Sequence, residues 1–310
     1  MSLRLKPLFL LLLILSISLL TYLRTPQAKE KSRFLYSGDG QLTLNGQKIR
    51  FRSDEGYYNE AGLKKIHEIF KGNWQEERER LSLRFLELLD YLQDELKGQS
   101  YLLKSGYRSP VFNQSLRDQG KLAAQSSMHT EGAAADLILK GVPSSRVFEF
   151  VKSLNCCGIG WYHSQHFHLD SGPARYWDEK TSGTEDKTPQ QNEKIILQSD
   201  EDFYQSGEII NAKLMRVTQY PIGVSLKWEL ISLKDEKAKS VELQAEILGE
   251  KTESGSCQII QTRKQARALR VKIADKTPPG SYAFKIKFCN RYDYAKMPQE
   301  ILSRGFEVLP

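Results

Sequence analysis

Apolar and polar positions alternate between two rhythms along the first half of the chain. Residues 42–51 alternate every second position around Asn45-Gly46, which predicts a hairpin, because Asn-Gly accepts the left-handed backbone of a tight turn. Leu63, Ile66 and Phe70 then recur at helical spacing, predicting a helix over 60–70 with Asn59 as its cap. His67 falls on or beside that packing face and is read as a packing residue. Leu81, Phe85, Leu88, Leu89, Leu92 and Leu96 form one stripe of a longer helix over 75–97, whose EERERL stretch reads as a solvated first turn. A short strand over 101–104 follows. Ser109 and Pro110 then have the cap and first-turn chemistry of another helix.

The run AAADLIL (133–139) reads as a strand entering the core, with Asp136 near its start. Ser144 is placed as the cap of a helix carrying Val147, Phe148, Val151 and Leu154. GIGWY and HFHLD pair as a hairpin through His163-Ser164-Gln165, and this part of the chain closes near Trp177. Residues 179–192 are polar, with Gly and Pro, and read as a linker. From 193 to 310 short alternating stretches broken by Gly, Pro and Asp predict an all-β region, a sandwich of the immunoglobulin-like kind.

The chain has 310 residues, enough for two domains, and a formal charge of +7. A mild positive balance suits an anionic cell wall or membrane surface, and equally serves solubility alone. No basic block is interleaved with aromatics, which argues against nucleic acid. At the N-terminus Arg4 and Lys6 precede an apolar run over 8–23, followed by Arg24. Cations before an apolar run mark export. We take residues 1–28 as a retained inner-membrane anchor ahead of a cleaved signal peptide, and both place the remainder outside the cytoplasm.

The chemistry gathers between Ser105 and Asp170. Of five histidines, all but His67 fall between Met128 and Leu169. On a strand, His166, His168 and Asp170 share one face while Phe167 and Leu169 pack behind. His129 and Asp136 from one segment and His168 from the other make an N/O ligand set with a position left for water, the layout of a catalytic zinc site.

The pattern S-x-H-x-x-G-x-A-x-D (Ser127, His129, Gly132, Ala134, Asp136), followed by a strand ending in H-x-H, resembles the zinc D-Ala-D-Ala metallopeptidases, the superfamily that includes lysostaphin-type peptidases and the hedgehog fold. The likeness is closer to the periplasmic murein endopeptidase K branch. It rests on Y-x-x-x-G-L-K-K-I from Tyr58, SGYRSP-x-x-N from Ser105 to Asn113, the G-I-G-W-Y hairpin and HLD-S-G from His168. The resemblance covers about residues 35–178.

It implies an α+β fold, with a central antiparallel sheet and flanking helices, over 31–178. It implies zinc held by His129, Asp136 and His168, and substrate contacts from Arg108, Asn113 and Ser127. The implied substrate is the peptide crosslink of peptidoglycan. Arg108, at a strand end beside a helix N-terminus, suits an arginine that grips a carboxylate or an oxyanion.

Such a site needs a group that takes a proton from water and passes it to the leaving amine. Related enzymes place a Glu three residues before the last ligand or a His two before it. Here those positions are Gln165 and His166, so His166 is the expected base, with His163 in reserve. The closest branch usually has an aromatic residue at the position of His166. Asp170 faces the same way as His168 and is expected to orient a ligand imidazole or to cap the hairpin.

Outside the cytoplasm Cys257 and Cys289 are candidates for a disulfide, while adjacent Cys156 and Cys157 are expected free and buried. The reading is thus an exported zinc endopeptidase of peptidoglycan. A D-Ala-D-Ala carboxypeptidase is the alternative within the class, and a non-catalytic wall-binding scaffold is the alternative outside it.

Overall fold

The computed structural model describes residues 32–72, 75, 80–121, 123–181, 188–235, 237–250 and 257–310. The apolar segment 8–23 lies outside them, as do residues 76–79 of the acidic stretch. Among the described residues no helix is long and apolar enough to cross a membrane.

The predicted hairpin forms as β1 (Gln41–Leu44) and β2 (Gln47–Arg50), with Asn45 at φ 50° and Gly46 at φ 81°. Helix α1 (Glu60–Ile69) starts where Asn59 accepts from the Gly62 N–H at 3.1 Å. Helix α2 (Leu83–Glu95) begins later than its apolar stripe suggests. The reason is tertiary: Ser82 is extended, and its N–H donates to the Gly132 carbonyl at 2.8 Å instead of entering a helix. His67 is buried as expected. Its Nδ1 meets the Leu63 carbonyl at 2.8 Å and its Nε2 accepts from the Leu81 N–H at 2.7 Å, so it tethers the α2 approach to α1.

Strand β3 (Ser100–Ser105) leads to α3 (Pro110–Asp118), capped by Ser109 Oγ on the Phe112 N–H at 3.2 Å. Strand β4 (Ala134–Lys140), helix α4 (Ser144–Leu154) and strands β5 (Gly158–Trp161), β6 (Phe167–Asp170) and β7 (Arg175–Asp178) complete the first sheet. Its order is β2-β1-β3-β4-β6-β5-β7. It is mixed rather than wholly antiparallel, since β1–β3 and β5–β7 run parallel. Ser144 is the first helical residue, not the cap; its hydroxyl donates to the Ser164 carbonyl and ties α4 to the β5–β6 turn.

The free thiols expected at positions 156 and 157 are not found. Cys156 and Cys157 are bonded to each other, with their Cα atoms 3.8 Å apart, and are not free thiols. Asn155, at φ 49°, ends α4 in the left-handed region, and the bonded pair follows it in the turn into β5. Cys257 and Cys289 are also bonded.

The remaining strands are β8 (Ile196–Ser199), β9 (Phe203–Tyr204), β10 (Ile209–Met215), β11 (Ile222–Ser225), β12 (Lys227–Ser232), β13 (Val241–Ile247), β14 (Cys257–Ile260), β15 (Leu269–Lys272), β16 (Gly280–Lys287), β17 (Glu300–Leu302) and β18 (Phe306–Val308). A single helical turn, α5 (Arg263–Ala266), lies between β14 and β15. They form a nine-stranded sheet and the two-stranded pair β11–β14. The chain is therefore α+β, with few helices beside extensive sheet. One apolar core surrounds Phe85, Leu89 and Leu137, and another surrounds Trp228, Ile210 and Phe284.

Buried ion pairs join the first half of the chain to the β-rich second half. Arg84 pairs with Asp202 and also donates to the Ser199 and Glu201 carbonyls at 2.9 and 2.7 Å. Glu131, 6% exposed, is gripped by Arg267 and lies 3.3 Å from Arg263. Charges taken this far from water persist only when paired and hydrogen-bonded. Met128, Ala133 and Ala134 pack on Met215 of β10 beside these pairs. Between the sheets, then, both apolar packing and charge fix the orientation.

Candidate metal centre

Strand register assembles the site. Asp136 on β4 faces His168 on β6, which faces Gly160 on β5, which faces Trp177 on β7. One pleat along, Ala134, Asp170, Gly158 and Arg175 form a second row. Residues opposite one another point to the same face of a sheet, so both rows project together. The two glycines make this possible. A Cβ on Gly158 would stand 2.2 Å from the Asp170 carboxylate, and one on Gly160 would stand 2.6 Å from the Trp177 indole.

His129 reaches the site from the turn before β4, where the Thr130 N–H donates to the Ser127 carbonyl and the Arg108 N–H to the His129 carbonyl. Its Nδ1 lies 2.8 Å from the Gly106 carbonyl, which requires a proton on Nδ1 and leaves Nε2 with a lone pair. His168 is fixed in the opposite sense: its Nε2 lies 2.9 Å from Asp170 Oδ2, leaving Nδ1 for the site. Asp170 is itself held by Arg175 at 2.6 and 3.1 Å and by the Gly172 N–H at 2.9 Å.

The three inward donors make a near-equilateral triangle. His129 Nε2 is 3.2 Å from His168 Nδ1 and 3.5 Å from Asp136 Oδ1, and His168 Nδ1 is 3.2 Å from Asp136 Oδ1. A tetrahedral ion bonded to N and O donors at about 2.0–2.1 Å separates them by roughly 3.3–3.4 Å. The donor set therefore fits such an ion without rearrangement, and both imidazoles already carry the outer hydrogen bonds that ligand histidines use. This group is one of two clusters of metal-ligand type among the described residues. The other, Asp39, Asp90 and Asp94, lacks a histidine. Its carboxylates accept the Gly40 and Asp39 N–H groups at 2.8 Å, ahead of β1.

Electrostatics favour positive charge at the triangle. Burial opposes a charge on His168, but hydrogen bonds to Asp136 and Asp170 outweigh it and raise its pKa. At His129 burial prevails and lowers the pKa. Burial would raise both carboxyls, yet His129 and His168 hold Asp136 well below the usual range, and Arg175 and His168 hold Asp170 below it too.

A cavity of about 330 Å³ opens over the triangle. Arg108 and Ser127 line it. Arg108 Nη2 donates to Asp136 Oδ2 at 3.0 Å and its Nε to Ser105 Oγ at 3.0 Å. Asn113 and His166 are not among the lining residues. Asn113 is buried, donating from Nδ2 to the Ala124 carbonyl at 3.0 Å, which ties α3 to the following loop. His166 lies 2.6 Å by Nδ1 from Ser164 Oγ and stacks on Tyr162 with ring centroids 4.8 Å apart. His163 lies 3.7 Å from Asp178 and is not among the lining residues.

The sequence reading missed Tyr162, Arg175, Trp177, Lys194 and Arg216, which also line the cavity. Trp177 packs on the His168 imidazole at 5.1 Å between centroids. Arg175 and Trp177 had a signal, since each is the strand partner of a glycine in G-I-G. Lys194 and Arg216 had none, because they arrive from the second sheet's side of the chain.

Residues 34–177 match the family model described as peptidoglycan L,D-endopeptidase MepK. The chain is 33% identical over 144 residues to the peptidoglycan L,D-endopeptidase MepK of Escherichia coli strain K12, covering 44% of this chain and 79% of that protein. The Shigella flexneri protein of the same name is similar to the same extent. The probable peptidoglycan L,D-endopeptidase MepK of Haemophilus influenzae is 40% identical over 73 residues, 23% of this chain and 39% of that protein. No solved structure matches the chain significantly.

Proposed function

This chain belongs to the peptidoglycan L,D-endopeptidase MepK family, within the zinc D-Ala-D-Ala peptidase superfamily, and from that premise we propose that it is a zinc-dependent endopeptidase cleaving peptide crosslinks of peptidoglycan. The observation that carries the reading is the donor triangle of His129 Nε2, Asp136 Oδ1 and His168 Nδ1, with both outer imidazole nitrogens already engaged. These residues would hold zinc, which supplies Lewis acidity: it activates water and polarises a carbonyl at neutral pH.

The rest of the chemistry falls to the chain. Arg108 keeps Asp136 Oδ2 engaged, so that Oδ1 remains the donor, and it presents cationic charge to an oxyanion in the cavity. Burial raises the Tyr162 pKa, keeping its phenol protonated as a neutral donor beside Asp136. Ser127 accepts the His129 N–H at 3.3 Å and holds the turn that delivers the ligand. Asn113 acts from behind by fixing the loop that precedes Ser127. We assign proton transfer to His166. Its Nδ1 is engaged by Ser164, which leaves Nε2 to exchange a proton, and its ring stacks on Tyr162, which lines the cavity.

We assign residues 31–178 as the peptidase domain, 179–192 as the connector and 193–310 as an accessory domain of immunoglobulin-like type. Disulfides at Cys156–Cys157 and Cys257–Cys289 support placement outside the cytoplasm, where such bonds persist. The apolar segment 8–23 would serve as leader or anchor.

The test is zinc content and muropeptide products of the chain from residue 31 onward, with and without His129→Ala. The expected result is stoichiometric zinc and separated crosslinks, both lost in the variant. Release of terminal D-Ala alone would turn the reading to a carboxypeptidase. Zinc without any product would turn it to a wall-binding scaffold.

A further inference from the structure

The cavity over the triangle carries more positive charge than its own acids balance. Its one lining carboxylate, Asp136, is already engaged by Arg108 and both histidines. Arg117, Lys194 and Arg216 line the same cavity, and none has a carboxylate within ion-pair distance among the described residues. Arg117 donates from Nη1 to the Ala123 carbonyl at 3.2 Å, while its Nε is buried without a hydrogen-bond partner. Arg216 uses Nε and Nη2 on the Ser126 carbonyl and hydroxyl, both at 3.1 Å, which are neutral acceptors. Lys194 is exposed.

This wall is built rather than incidental. Arg216 sits at φ 61°, a conformation costly for a side chain of its size, and its N–H is held by Glu131 Oε1 at 2.8 Å. The segment before Lys194 is anchored to the turn after β10. Asn192 donates to Thr218 Oγ1 and the Gln219 carbonyl at 3.0 and 2.9 Å, and it accepts the Thr218 N–H at 2.8 Å. Gln190 is tied to Gln125 at 3.0 Å, on the opposite side of the connector. Lys194 and Arg216 both lie beyond the residues that the family model matches.

We infer that Lys194 and Arg216, with Arg117, form a carboxylate-binding wall of the substrate cavity, so that the β-rich half of the chain selects peptides by a free carboxylate. A group of cations with no carboxylate in ion-pair contact gains most from an anion with several acceptor oxygens, and a peptide carboxylate is the anion that a peptidase substrate carries. The inference rests on the endopeptidase reading for the identity of that peptide.

The experiment uses the zinc-loaded chain and two probes: a crosslinked dimuropeptide with free carboxylates, and the same compound with those carboxylates converted to carboxamides. The wild type, Lys194→Gln and Lys194→Arg are compared. The expected wild-type preference for the carboxylate form is about 10-fold in kcat/KM, carried by KM, the effect of one charge-assisted hydrogen bond. Lys194→Gln should erase most of it and Lys194→Arg should keep it. A preference that survives in Lys194→Gln, or is absent from the wild type, overturns the inference. If neither probe is cleaved, the endopeptidase reading has failed, and the same comparison is made with dissociation constants. A carboxylate preference in binding that Lys194→Gln removes then supports the wall, and equal affinities overturn it.

Discussion

His168 Nε2 lies 2.9 Å from Asp170 Oδ2, and the two residues share one strand with only Leu169 between them. The strand's two-residue repeat thus places both side chains on one face. Asp170 is fully buried and is fixed from its far side by Arg175 and the Gly172 N–H. Asp170→Asn should therefore leave the fold intact but lower zinc affinity about 10- to 100-fold, the usual effect of losing such a support. Competition with a chromogenic chelator measures this directly. An unchanged affinity would mean that His168 needs no orientation from Asp170.

Gly158 is a sharper test of the same arrangement. Asp170 cannot swing away from a methyl group at 2.2 Å without leaving Arg175. Gly158→Ala should cost about 1–3 kcal/mol of stability, the range for overpacking a filled site, and weaken zinc binding in parallel. Thermal melts with and without zinc report both. A melt within a degree of wild type would show that the carboxylate has room to move.

Much of this was legible in the sequence, and what was not has a common cause. The Asn45-Gly46 turn, the Asn59 and Ser109 caps and the His168–Asp170 alternation are local, so residue order carries them. The start of α2 was not local: Ser82 is drawn out of the helix by Gly132, fifty residues on. Trp177 and Arg175 depend on register across β6, β5 and β7, and Lys194 and Arg216 on the packing of the second sheet. The bond between Cys156 and Cys157 sits in the turn between α4 and β5, just after the left-handed Asn155.

Asp90 gives a pH signature. It is buried on α2, its Oδ1 has no hydrogen-bond partner, and burial raises its pKa from 3.8 to about 7. A carboxyl raised on folding contributes stability that is fully present below its unfolded pKa and is lost as pH rises through the folded one. Stability should thus fall between about pH 4 and pH 7 through this group and level off above. Asp90→Asn removes the buried charge while keeping an acceptor for the Gly40 N–H. It should flatten that slope and raise the melting temperature at pH 8. A slope unchanged in the variant would assign the pH dependence to another group.

The second half of the chain also grips the turn that carries His129. Glu131 is two residues after His129, and its carboxylate is 3% exposed and paired with Arg267, which precedes β15. Its other oxygen accepts the Arg216 N–H. Arg267→Met would leave that carboxylate buried with less compensation, at a cost of about 3–5 kcal/mol when a partner of a buried pair is removed. Because the Glu131 turn also carries His129, zinc affinity should fall together with stability, although Arg267 itself is not among the cavity-lining residues. The double variant Glu131→Gln/Arg267→Met removes the stranded charge and should recover part of both losses. Denaturant melts and zinc titration on the single and double variants make the check. If Arg267→Met lowers stability with zinc affinity unchanged, the turn holds His129 independently of the second sheet.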